Sequence, residues 1–375
     1  MISKDDIRNA LKQVEDPQLG GNLADLNMIK QIKISEDAIN IRIELKTPKH
    51  PQKEDIRNKS IEVVQAVAGD NITIHVQFTA VITSGRDNKA KTINGIGVND
   101  NLLPNVKNII AVASGKGGVG KSTVAANLAI ALGKEGAKVG LMDADIYGPS
   151  APIMFGLRGE RPKMTKINGK GMIMPMDRYG VKVISIGLLV DEKQAVVWRG
   201  PMVSSAIKQF VSDVYWGELD YLVIDLPPGT GDIHLTMVQT IPVTGAVIVT
   251  TPQQVALADA KKGVAMFSTG AIKVPVLGIV ENMSYFTPPE LPDKKYYIFG
   301  KDGAKRICSD FNIPLLGEIP IVESICEGGD VGIPALMGDD EITKKAFSDF
   351  ADETARHIAI RNENLDPTKI VEMVR

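Results

Sequence analysis

The sequence predicts an α/β protein, with a mostly parallel sheet covered by helices on both faces and a small α/β domain in front of it. Three observations point there. From Asn108 onward, short apolar runs alternate with helical patterns, as strands buried on both faces of a parallel sheet require. A glycine-rich octapeptide, Gly115 to Ser122, joins the first of those runs to the first of those helices. A polar stretch over 82–107, with glycines and few large apolar groups, reads as a linker that sets this region apart from residues 1–81. The chain length of 375 residues is itself long for one domain.

In the first domain, Asp5 to Val14 carries apolar residues at helical spacing, and Asp16-Pro17 stops it because the residue before proline is pushed out of the α region. Ile29 to Ile34 and Ala38 to Leu45 alternate with period two and read as paired strands. Asp55 to Val67 reads as a second helix and Asn71 to Thr79 as a third strand. In the second domain, 108–362, strands are expected at Asn108 to Ala113, Lys138 to Met142, Val181 to Ile186, Tyr221 to Ile224, Ala246 to Thr250 and Val274 to Val280. Lys121 to Lys134 is helical, and Glu341 to Ile360 reads as a closing helix before a tail over 363–375.

Composition narrows the function classes. Hydrophobic residues make up 44% and charged residues 23%, which supports a large core, and 5% aromatics offer little for stacking single-stranded nucleic acid. Lys and Arg are spread along a chain of formal net charge −2, so neither nucleic acid nor an anionic membrane is an expected partner. The N-terminus lacks an apolar signal region, no apolar run reaches membrane-spanning length, and Cys308 and Cys326 cannot make a disulfide framework. Reducing cytoplasm is the expected compartment.

Gly115-Lys116-Gly117-Gly118-Val119-Gly120-Lys121-Ser122 fits G-x-x-x-x-G-K-[ST] between a strand and a helix, the context that motif needs. Glycines let successive N–H groups converge on phosphate oxygens, and the helix N-terminus adds its positive dipole end. Residues 115–123, from Gly115 through Thr123, are the expected ATP-binding segment of a P-loop NTPase. Lys121 reaches the β- and γ-phosphates, and the Ser122 hydroxyl serves Mg²⁺. Asp143 and Asp145 end the second strand beside this cradle, where carboxylates suit Mg²⁺-bound water and an attacking water. Tyr221 to Asp225 has the apolar-run-then-Asp form of a Walker B strand, so Asp225 is a further Mg²⁺ candidate. Pro227-Pro228-Gly229-Thr230-Gly231-Asp232 follows, a turn suited to respond to a γ-phosphate.

KGGVGKST resembles the deviant Walker A motif of the SIMIBI P-loop ATPases, the group of MinD, ParA, the nitrogenase iron protein and the Mrp/ApbC proteins. The resemblance implies that Lys116 crosses a homodimer interface to the partner's nucleotide. It also implies that Asp145 orients the nucleophilic water, that Asp143 supports the metal site, and that Asn282 reads the adenine edge. Lys116, Lys121 and Asp145 are the implied catalytic set for hydrolysis of ATP to ADP and phosphate. Longer strings, DADIYGPSAPIMFGL (143–157), WRGPM (198–202), IDLPPGTGD (224–232) and ENMSYF (281–286), closely resemble the Mrp/ApbC family of iron–sulfur cluster carriers. In front of them, DPQLGGNLADLNMIKQI and LKTPKHP resemble the small domain fused to bacterial members.

The resemblance implies a cluster held between subunits by C-x-x-C pairs, and client proteins or assembly factors as partners. This chain departs from that pattern. After ENMSYF it reads Thr287-Pro288-Pro289-Glu290-Leu291-Pro292, and His50 stands where the small domain usually has cysteine. Cys308 and Cys326 are the remaining thiols, eighteen positions apart on different expected elements, and a free cysteine is often only a small buried hydrophobe. His50, His75, His234 and His357 show no metal-ligand spacing. Three functions therefore stay open: an ATP-switched cluster carrier, a cluster-free ATPase switch or scaffold, and a ParA/MinD-like positioning ATPase. The last finds only Ile370, Val371, Met373 and Val374 as a C-terminal apolar group, short for an interfacial anchor.

Overall fold

The computed structural model describes residues 2–35, 37–69, 71–86, 92–93, 96–97, 103–190, 200–268, 272–288, 290–291 and 293–369. Trp198 and Arg199 of the WRGPM string, Pro289, Pro292 and the apolar C-terminal group lie outside them. Two compact units form, one of Met1–Thr83 with Ala355–Leu365, the other of Ser84–Thr354 with Asp366–Arg375. No helix among the described residues is long and apolar enough to cross a membrane.

In the first unit, α1 (Lys4–Ala10) is capped by Ser3, whose hydroxyl accepts from the Asp6 N–H while the Asp6 carboxylate accepts from the Ser3 N–H. Strands β1 (Ile29–Ile34) and β2 (Ala38–Leu45) pair antiparallel, and β3 (Thr73–Ala80) joins β2 in parallel after α2 (Lys53–Ala68) crosses over. Alternation along β2 sends Ile39, Ile41, Ile43 and Leu45 to one buried face, against Ile7, Leu11, Ile56 and Val64 of the helical layer.

Asp16 is fully buried in this unit, and its Oδ1 accepts from the Gln18 and Leu19 N–H groups at 2.9 and 3.2 Å. Its Oδ2 lies 3.1 Å from His50 Nε2, while His50 Nδ1 accepts from the Gln52 N–H at 3.3 Å. Burial pushes the Asp16 carboxyl up, but His50 and the two backbone donors outweigh it and hold it below the usual carboxylate range. A lowered folded value means the stabilisation is complete above the ordinary carboxylate pKa and is lost as pH falls through the folded one. His50→Ala is therefore expected to destabilise this unit by about 3 kcal/mol near neutral pH, since it strips a buried carboxylate of its side-chain partner. Acid unfolding, followed by amide exchange along β2, should then begin at higher pH than in the parent chain; an unmoved acid limb would refute the role of the pair.

The second unit is built on one eight-stranded sheet. Its elements are β4 (Val106–Ser114), α3 (Lys121–Lys134), β5 (Val139–Asp143), β6 (Met176–Arg178), β7 (Val181–Ser185), α4 (Gly200–Ser212), β8 (Leu219–Asp225), α5 (Asp232–Thr240), β9 (Gly245–Thr250), α6 (Gln254–Ser268), β10 (Val276–Glu281), α7 (Gly303–Phe311), β11 (Leu315–Glu318), α8 (Glu323–Val331) and α9 (Glu341–Asn364). The strand order is β6-β7-β5-β8-β4-β9-β10-β11, parallel throughout except for the β6–β7 edge pair. Residues of β5, β8 and β9 are nearly all buried, which is why these runs show no period-two alternation in sequence.

Two boundaries differ from the sequence reading. The linker expected over 82–107 is anchored at both described ends. Arg86 donates to the Leu103 and Val106 carbonyls, the Gly85 N–H reaches the Lys107 carbonyl at 3.1 Å, and Leu103 is buried. A buried arginine serves backbone carbonyls there, which polar composition does not disclose. The last helix, read as ending a domain at 362, runs to Asn364, and its C-terminal part from Ala355 belongs to the first unit. There Asn362 donates to Thr83 and Lys46 pairs with Glu363 at 3.0 Å. Helical periodicity reveals that a helix exists, not which body it packs on.

Candidate functional site

The carboxyl ends of β4, β5 and β8 lie side by side, so the residues that follow them converge. Asp143 and Asp225 are register partners across β5 and β8. The glycine loop leaves β4 between two walls. A Cβ on Gly115 would stand 2.2 Å from the Asp259 carbonyl of α6. A Cβ on Gly120 would stand 2.2 Å from Asn282 Nδ2, and Gly118 and Gly120 adopt left-handed φ angles of 81° and 77°. Glycine is thus required at 115 by space and at 118 and 120 by conformation. Val119 is buried and fixes the loop from below, while Gly117 and Gly118 are exposed at its rim. Lys116 is half-buried, and its carbonyl accepts from the Ser114 hydroxyl at 2.9 Å.

Three of the expected residues meet at the start of α3. The Lys121 ammonium is buried, donates to Asp225 Oδ1 and lies 3.3 Å from the Ser122 hydroxyl. Thr123 is half-buried behind them, its carbonyl accepting from Asn127 at 2.9 Å. Asp145 is half-buried, accepts from the Gly148 N–H at 3.2 Å, and is pushed up by burial, with Lys121 opposing and Asp225 adding to the shift.

Asp143 does something the sequence did not disclose. It is fully buried, and its carboxylate accepts from the Asp145, Ser150 and Ala151 N–H groups and the Ser185 hydroxyl at 3.0–3.1 Å. Burial first, then the neighbouring Asp225 charge, raises it to about 7. Three of these donors belong to the chain after β5, so its visible work is to shape the Asp145 loop; a period or spacing rule cannot see the fourth, Ser185, which comes from β7. Asn282 likewise has a use beyond its expected one. It donates from Nδ2 to the Val119 carbonyl at 2.9 Å and from its backbone to the Thr250 carbonyl at 2.8 Å, bracing the loop.

The site fits a nucleotide's phosphates and their metal ion. Its loop is walled at Gly115 and Gly120 and open at Gly117 and Gly118, the Lys121 ammonium is in place, and Ser122 and Asp225 present oxygen donors beside it. Around the same strand ends, the Ser150 and Thr251 hydroxyls are buried without partners among the described residues.

The thiols do not join this arrangement. Cys308 is buried on α7, where burial raises it to about 11, and Cys326 is exposed on α8. Among the described residues no group of three or more His, Cys, Asp or Glu side chains is placed to hold a metal ion. The segment after ENMSYF is a loop closed by paired backbone bonds of 2.8 Å between Phe286 and Tyr296, with Lys295 3.8 Å above the Tyr285 ring.

Comparison with known proteins agrees with this geometry. A family model described as "NUBPL iron-transfer P-loop NTPase" matches residues 105–355, and one described as "Iron-sulfur cluster assembly protein" matches residues 4–76. An iron–sulfur cluster carrier protein of Synechocystis is 43% identical over 361 residues, covering 96% of this chain and 99% of the relative. The carrier protein of Escherichia coli K12 is 41% identical over 359 residues, covering 95% and 93%. Among solved structures, a nucleotide-binding protein of Archaeoglobus fulgidus in complex with ADP is 41% identical with a TM-score of 0.55, covering 64% of this chain and 91% of its own. The chain therefore belongs to the iron–sulfur cluster carrier family of P-loop NTPases.

Proposed function

We propose that this protein is an ATP-hydrolysing, nucleotide-switched homodimer that carries iron–sulfur clusters or serves their assembly on client proteins. The observation that carries the ATPase reading is the Lys121–Asp225 contact at the mouth of the glycine loop. In the resting chain the two charges satisfy each other. Bound ATP would draw Lys121 onto the β- and γ-phosphates and release Asp225, which with Ser122 would hold Mg²⁺; the ion would neutralise charge on the phosphoryl oxygens. Loop N–H groups orient the phosphates, and Asp145 orients water for attack on the γ-phosphorus. The bond to the bridging oxygen breaks, giving ADP and phosphate. Lys116 would add its charge to the partner subunit's nucleotide.

Carriage of a cluster as cargo is supported by the family and strained by the residues. The loop after ENMSYF holds no thiol. That observation favours a second reading, a cluster-free switch or scaffold in the same assembly process. Anaerobic reconstitution with iron and sulfide separates them. A carrier should retain iron and acid-labile sulfide through desalting, and Cys326→Ser should lower both if the exposed thiol is a ligand. Loss of all iron from the parent chain would reject carriage. The positioning-ATPase reading predicts ATP-dependent pelleting with liposomes or DNA, and its absence would remove it.

A further inference from the structure

Glu281 ends β10 and is 1% exposed, a place where an unpaired carboxylate would be costly. Two donors meet it. The Ser284 hydroxyl donates to Oε1 at 2.7 Å, and the Ala304 N–H, 23 residues along the chain, donates to Oε2 at 2.6 Å. Ala304 is the second residue of α7, and Asp302, which precedes that helix, gives it no side-chain cap. Glu281 therefore caps α7 from the end of a strand, where its negative charge meets the positive end of the helix dipole. No step of the phosphoryl chemistry described above uses this residue.

The same carboxylate closes a strained turn. Met283 has a φ of 53°, a left-handed conformation that is unfavourable for a residue with a side chain. On either side of it, the Asn282 N–H reaches the Thr250 carbonyl at 2.8 Å and the Ser284 N–H reaches the Ile319 carbonyl at 2.9 Å. The Glu281–Ser284 bond spans Met283 and draws these two ends together. Held in this turn, Asn282 donates from Nδ2 to the Val119 carbonyl of the glycine loop. The Val119 carbonyl and the Gly120 N–H belong to one planar peptide and leave it on opposite sides, so holding the carbonyl aims the N–H. We infer that Glu281 is a positioning residue for the phosphate loop: it ties the start of α7 to the 281–284 turn and so keeps Asn282 on the Val119 carbonyl. Glu281 touches no nucleotide in this account and acts through Asn282. The inference rests on the nucleotide-site reading above.

The test uses the full chain, with Mg²⁺-ATPγS titrated calorimetrically into the parent protein, Glu281→Leu and Glu281→Gln, each variant also made together with Asn282→Ala. Leucine leaves both donors unmet and should weaken ATPγS roughly tenfold. Glutamine has the same shape, can accept from the Ala304 N–H and donate to the Ser284 oxygen, and should stay within about twofold of the parent. Where Asn282→Ala has already released the Val119 carbonyl, leucine should cost less than about a further twofold. Ser284→Ala leaves the helix cap in place and should weaken ATPγS about threefold, an effect that also vanishes beside Asn282→Ala; it carries the test if the leucine variant does not fold. Equal factors with and without Asn282 would mean that Glu281 supports the fold and does not aim the loop. Unchanged affinity in the leucine variant, or a glutamine variant as weak as leucine, would also overturn the inference while leaving the nucleotide site standing. A parent protein that binds no ATPγS would bring down the nucleotide-site reading itself.

Discussion

Lys121→Ala is expected to lower steady-state ATP turnover by roughly a hundred- to a thousandfold, about 3–4 kcal/mol of transition-state stabilisation, as for loss of one preorganised donor to developing charge. The effect should be large for two reasons. The ammonium is buried, so its charge acts through little water. It is also the countercharge of Asp225, which sits in register with the buried Asp143. Without Lys121, Asp225 loses its countercharge beside a second carboxylate, Asp143, which is already raised to about 7 in part by Asp225. The variant should therefore lose hydrolysis and also hold its empty site less firmly. Phosphate release and a nucleotide-free melting curve measure the two effects separately. Unchanged turnover would sink the proposed mechanism.

Gly115→Ala should do comparable damage by a different route. The added Cβ would stand 2.2 Å from the Asp259 carbonyl carbon and oxygen and 2.7 Å from the Ala260 nitrogen. All three are backbone atoms within α6, so no side-chain rotation relieves the clash. Either the helix or the loop must move, at a cost of about 1–3 kcal/mol or more. A loop displaced by even an ångström misaims its N–H groups, so ATPγS affinity should fall by at least about tenfold. Gly117→Ala is the internal control, because its nearest neighbour, a Pro228 side-chain carbon, would be 4.0 Å away. Equal effects at 115 and 117 would show that the Asp259 wall does not govern the loop.

Much of this architecture was legible because its signals are local. The strands at Ile29 to Ile34 and Ala38 to Leu45 and the helix from Lys121 to Lys134 appear with the boundaries their periodicity suggests. The glycine-rich loop marked Lys121 and Ser122, and the apolar run 221–225 marked Asp225, but neither foretold their mutual contact. Less visible were elements that depend on neighbours. The short edge strand Leu315–Glu318 has too few residues for a period, and Met176–Arg178 becomes a strand only by pairing antiparallel with Val181–Ser185. Arg86 reads as a linker residue, yet it is buried under carbonyls that come from residues 103 and 106.

By itself, the sequence determined the class of the chain, the phosphate loop and the absence of the usual cysteine pair, because each is written in residues close together along the chain. Tertiary structure alone decided what those residues do to one another. It put the Asp259 backbone against Gly115, bound Asp143 to a hydroxyl from a strand 42 residues away and turned Asn282 onto the Val119 carbonyl. Burial and hydrogen-bond pairing are set by segments that meet only when the sheet forms, and no local pattern encodes such a meeting.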